Sequence, residues 1–138
     1  MKINKILLLI LSFFTLLLFS GCVPLIIGGA AAGASMAGTY YYINGELKTD
    51  YQASFDEVWG ACEKTVADMH GVEVVPEKEI AKGTINTLIN DEKVKLDIMY
   101  KSKNITTVAI RVGLIGNKLS SQLLHDKIAN YLVKKPRE

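Results

Sequence analysis

Cysteine, histidine and arginine are scarce in this chain of 138 residues, which has only two of each. Two cysteines, Cys22 and Cys62, cannot build a disulfide framework or a four-cysteine zinc site. His70 and His125 stand at no metal-ligand spacing with each other or with Cys62, so no metal site is expected. Charge is missing from the first third of the chain, with no Asp, Glu, Lys or Arg between Lys5 and Glu46. The apolar run at residues 6–19 is nevertheless short of the roughly 20 residues that a membrane-spanning helix needs. A positive excess is lacking too. There are 16 basic and 14 acidic residues, and without Lys2 and Lys5 the count is 14 against 14. Nucleic-acid binding therefore has no electrostatic support. The glycine-rich stretch carries no lysine, which excludes a phosphate-binding P-loop.

What is present begins with an address. Residues 1–5 form a basic end, residues 6–19 an apolar core, and Ser20-Gly21-Cys22 a small-residue cut site. That order defines a secretory signal. Leu18-Phe19-Ser20-Gly21-Cys22 resembles the bacterial lipobox, with Phe19 at the usual leucine position. The resemblance implies cleavage between Gly21 and Cys22, a diacylglyceryl group on the Cys22 thiol and a further acylation point at the freed amine. A thiolate is the nucleophile such a transfer needs. Each buried CH₂ of the acyl chains contributes about 0.8 kcal/mol, so two or three chains anchor stably. By analogy with enteric lipoproteins, Val23 after the cysteine points to the outer membrane.

Residues 23–43 are uncharged and rich in Gly and Ala, with Gly29 and Gly33 at small-xxx-small spacing. Five glycines between positions 28 and 45 argue against a regular helix, at about 1 kcal/mol each. Residues 22–38 are expected to be a tether or loose stem, the alternative being a glycine-zipper helix that inserts or oligomerises beside the lipid anchor. Residues 39–138 are expected to form one periplasmic α+β domain.

Within that domain, residues 40–51 read as a strand. Ser54-Phe55-Asp56-Glu57 is a capping box that opens a helix, and Gly71 stops it. Phe55, Val58, Trp59, Cys62, Val66 and Met69 form its apolar stripe. Strands follow at residues 72–76, at 83–89, around the alternating Val94, Leu96, Ile98 and Tyr100, and at 105–114. In the last of these, Val108, Ile110, Val112 and Leu114 are expected to face inward, with Thr107, Ala109 and Arg111 on the other face. A final helix at 118–134 takes its apolar side from Leu119, Leu123, Ile128, Tyr131 and Leu132. The order β-α-β-β-β-β-α predicts a mostly antiparallel sheet of about five strands with two helices on one face.

The Gly/Ala run after Cys22, Tyr42-Ile43-Asn44-Gly45-Glu46-Leu47, the helix start at 54–59, and Ile110-Arg111-Val112-Gly113 with Gly116-Asn117-Lys118 together resemble one family. It is the family of small bacterial lipoproteins catalogued as domain of unknown function 3568. The resemblance covers nearly all of the mature chain and implies an envelope address with no known activity.

Candidate chemistry is correspondingly thin. Cys62 lies on the apolar stripe and reads as a buried, inert thiol. Asp56 and Glu57 serve the helix start. Arg111, in an otherwise apolar strand, can pair with an acidic group or hold an anion. Trp59 is a core residue that can also wall a small apolar pocket. No catalytic residues, metal or cofactor other than the lipid on Cys22 are expected. The expected function is a non-enzymatic, lipid-anchored envelope lipoprotein that binds an envelope protein or lipid through the open sheet face or a sheet edge. The alternative is a carrier or sensor of a small apolar ligand held between sheet and helices near Trp59.

Overall fold

A computed structural model describes residues 38–134. The signal, Gly21, Cys22 and most of the expected stem lie outside the described residues. The chain forms β1 (Tyr41–Ile43), β2 (Glu46–Tyr51), α1 (Phe55–Asp68), β3 (Val72–Lys78), β4 (Lys82–Ile89), β5 (Glu92–Ser102), β6 (Ile105–Val112) and α2 (Lys118–Lys134). The strands make one six-stranded sheet in the order β1-β2-β6-β5-β4-β3, antiparallel throughout. Both helices pack against strands of the same sheet, and the α+β class expected from the pattern is what forms. No helix among the described residues is long and apolar enough to cross a membrane.

The sixth strand arises because residues 40–51 are not one strand but a hairpin. Asn44 and Gly45 both have positive φ, 51° and 83°. That is the paired left-handed geometry of a tight two-residue turn whose twist suits antiparallel strands. Asn90 and Asp91 turn β4 into β5 in the same way. The capping box at α1 forms as read: Ser54 Oγ accepts from the Glu57 N–H, and the Glu57 carboxylate accepts from the Ser54 N–H at 3.0 Å.

The core lies between the helices and the inward side of β2, β6, β5 and β4, with Tyr51, Val58, Cys62, Ile85, Leu96, Ile98, Val108, Ile110 and Ile128 fully enclosed. Two expectations about that side are corrected. Leu114 does not face inward; β6 ends at Val112, the chain turns at Gly113, and Leu114 is 84% exposed. Leu119 and Leu123 are exposed as well, because α2 is rotated relative to the expected stripe. Its inner face is Ser121, Leu124, His125, Ile128 and Leu132, and each one-residue offset turns a helix by about 100°.

Register fixes two ends of the sheet. The Asn44-Gly45 turn, the starts of β5 and α2 and the end of β6 share one end. The chain joins the sheet at the opposite end, where the Gly38 N–H donates to Asp50 O at 2.7 Å.

Candidate functional site

The sheet face away from the helices is built from the alternate residues of each strand, and its side chains are mostly charged. Lys48 pairs with Glu46 at 3.1 Å and Lys95 with Asp97 at 2.7 Å. Asp50 accepts from Lys101 Nζ at 2.5 Å and from Thr107 Oγ1 at 2.6 Å. Those two hydrogen bonds hold the Asp50 carboxyl below the usual carboxylate range, Lys101 contributing most. Asp97 also accepts from Thr84 Oγ1 at 2.8 Å. Ala109 is buried between its cross-strand partners Lys48 and Asp97. Such exposed pairs contribute little stability each. Their effect is to keep the face wet and its strands from stacking on an apolar surface.

At the end of this face nearest the Asn44-Gly45 turn lies a cleft of about 400 Å³. Its charged and amide lining is Glu73, Asn86, Lys93, Lys95 and Arg111, and Val75, Leu88 and Leu114 supply apolar wall. The backbone explains the arrangement. Arg111 is directly opposite Lys95 across β6 and β5, and Lys95 is directly opposite Asn86 across β5 and β4. The Gly113 N–H donates to Lys93 O at 2.8 Å, which turns Leu114 over the rim. Two like charges placed opposite each other disfavour the pairing unless an anion lies near them.

Arg111 has only a partial answer to its charge. Nη2 donates to Asn44 O at 2.7 Å and thereby ties the β1–β2 turn to β6. The nearest carboxylate oxygen, Glu46 Oε1, is 3.7 Å away. Its Nε is buried with no hydrogen-bond partner among the described residues. Lys93 makes no ion pair among the described residues.

Trp59, the other residue singled out by sequence, sits on the opposite side of the sheet, so the fold does not bring it together with Arg111. It is 5% exposed, stacks on Phe55 with ring centroids 6.2 Å apart, and packs closely against Gly83. A Cβ at Gly83 would overlap the indole ring. The space between helix and sheet at that point is occupied by the tryptophan itself. Cys62 is fully enclosed, and burial pushes its thiol pKa up, which keeps it protonated and unreactive. Among the described residues no group of three or more His, Cys, Asp and Glu side chains is placed to hold a metal ion.

Sequence reasoning missed one polar constellation under the helices. His125 is fully buried, with Nε2 2.8 Å from Leu47 O and Nδ1 2.8 Å from Tyr51 Oη. A carbonyl only accepts, so Nε2 carries the proton and Nδ1 accepts from the Tyr51 hydroxyl. That hydroxyl also lies 3.0 Å from His125 O. Tyr40 covers the imidazole, ring centroids 5.4 Å apart, and donates to Asp126 at 3.2 Å. Burial pushes the His125 pKa down to about 4, against a smaller upward pull from the Leu47 carbonyl. Burial, with Asp126 beside it, pushes Tyr40 up to about 12. Both ring nitrogens of His125 are occupied and the ring is closed off, so the network joins α2 to β2 and offers no reactive atom to a substrate. The Ser121, Leu124, His125, Ile128 spacing carried the signal of a buried histidine.

The family described as "Protein of unknown function (DUF3568)" matches residues 5–131, and the chain belongs to that family. No curated protein matches the chain.

Proposed function

We propose that this member of the family is a lipid-anchored envelope lipoprotein, cut before Cys22 and held by acyl chains on that thiol. Its domain is a binding module without catalytic activity, seated on the periplasmic side of the outer membrane, and it presents the open sheet face to an envelope partner. The anchoring half is supported by the basic end, the apolar core and Ser20-Gly21-Cys22. One observation carries the binding half: the helices cover one side of the sheet, and the other side holds a cleft lined by Lys93, Lys95 and Arg111, whose Nε is buried without a hydrogen-bond partner among the described residues. The buried ionisable groups Tyr51, Cys62 and His125 lie under the helices and away from that cleft, which supports a binding rather than a catalytic role.

Intact mass of the protein extracted from membranes tests the anchor. The native chain should begin at Cys22 and carry acyl mass, while Cys22→Ala should retain residues 1–21. A native chain that retains Met1 without acyl mass overturns the anchoring half. For the binding half, a photoreactive residue at Asn86 on the open face should crosslink a discrete envelope component, and the same residue at Glu63 on α1 should not. Equal labelling from both positions removes the open face as the binding face.

A further inference from the structure

We propose that the Arg111 cleft takes a single carboxylate that carries an apolar tail. This deepens the reading of the open face as the binding face and rests on it. Lys95 is engaged by Asp97 at 2.7 Å, but two cationic groups in the cleft have donors to spare. Arg111 uses only Nη2 among the described residues, and its side chain is 37% exposed. Lys93, which flanks Lys95 on the same strand face, has no ion-pair partner among the described residues. Two donors facing one hollow match the two oxygens of one carboxylate, and such charge-assisted hydrogen bonds are the strong ones. The acids nearby decide the charge of the ligand. Glu73 lines the cleft, Glu46 stands 3.7 Å from Arg111, and Asp97 sits beside Lys95. Each of these carboxylates repels a doubly charged phosphate about twice as strongly as a monovalent anion at the same distance, which favours the lower ligand charge. The apolar requirement comes from Val75, Leu88 and Leu114, which form a wall beside the cations. A site of about 400 Å³ with apolar walls and a few convergent donors has the proportions of a small-ligand site.

An apolar carboxylate has two sources, a free fatty acid and the C-terminus of a peptide ending in an apolar residue. The chain helps the test, because Arg111 and Arg137 are its only arginines. Selective labelling with ¹⁵N-arginine therefore gives two side-chain Nε–H signals. The mature, lipidated chain in zwitterionic nanodiscs is titrated with octanoate and, separately, with an acetylated peptide ending in Leu and its C-terminal amide. Empty nanodiscs correct for octanoate lost to lipid. The expected result is a saturable shift of the Arg111 signal with at least one carboxylate, none with the amide, and no change at Arg137. Octanoate as the effective arm identifies a free amphiphile, and the peptide acid identifies a chain terminus. Lys93→Gln should weaken binding about tenfold, the equivalent of one charge-assisted hydrogen bond. Leu114→Ser, at an exposed position that cannot disturb the core, should weaken it about fivefold. Absence of a saturable shift in both arms, or a shift that acetate reproduces at the same concentration, overturns the assignment. If the Asn86 crosslink still forms in that case, the open-face reading stands and only the carboxylate falls; if it fails too, both fall.

Discussion

Burial of His125 gives the domain a pH response between neutrality and about pH 4. Its folded pKa of about 4 lies below the ordinary histidine value of about 6.5. Between those values the unfolded chain binds a proton that the folded chain refuses. Stability is thus full above pH 6.5 and falls as the pH drops, by about 2 kcal/mol at pH 5. Urea unfolding at pH 7.5 and pH 5 should show that loss in the native chain and lack it in His125→Asn. Parallel losses in both proteins would assign the effect to other groups. A second residue-scale outcome concerns the close approach of Trp59 to the sheet. Gly83→Ala puts a methyl group into the indole ring, so it should cost about 2 kcal/mol and shift the tryptophan emission to the red. Unchanged stability would mean that the ring moves aside freely.

The elements differ in how plainly they could be read. α1 was legible because local chemistry determines it: Ser54 and Glu57 cap it, and the apolar stripe runs unbroken from Phe55. β4 and β5 were legible from alternation, and their turn from Asn90-Asp91. The hairpin was missed although Asn44-Gly45 is a strong turn signal, because the aromatic run Tyr40-Tyr41-Tyr42 reads as the start of one long strand. The rotation of α2 was missed for a deeper reason. A half-apolar helix permits two faces, and the one bearing His125 is selected by partners distant in sequence: the Tyr51 hydroxyl, the Leu47 carbonyl and the core that takes Leu124, Ile128 and Leu132. The cleft was half legible: Arg111 stood out in its strand, but nothing local tells which cations lie across from it. Two outcomes belong to this scale. Ser54→Ala should lower stability by about 1 kcal/mol through loss of the cap, read by chemical denaturation. Gly45→Ala meets both a positive φ and the Ile115 carbonyl, so amide exchange should rise across β1, β2 and residues 113–116 before it rises in β4.

For the molecule as a whole, one core shared by both helices and the four inner strands implies one cooperative unit. Trp59 emission and far-ultraviolet dichroism should trace the same denaturation curve, and separated midpoints would show that α2 or the β1–β2 hairpin leaves independently. The two ends of the sheet differ in structure. The cleft occupies one, and the described chain enters the sheet at the other, where Gly38 is bonded to Asp50. This arrangement has a mechanical consequence. A pull on the chain ahead of Gly38, away from the cleft and along the strands, slides β1 past β2, because β1 runs antiparallel to β2 from that end. The ladder is then loaded in shear, with its rungs sharing the force together with the Tyr40–Asp126 and Tyr42–Gly116 hydrogen bonds. Pulled from the turn instead, the same hairpin would open one rung at a time, so entry of the chain at Gly38, the end away from the turn, makes a three-residue edge strand a serviceable grip.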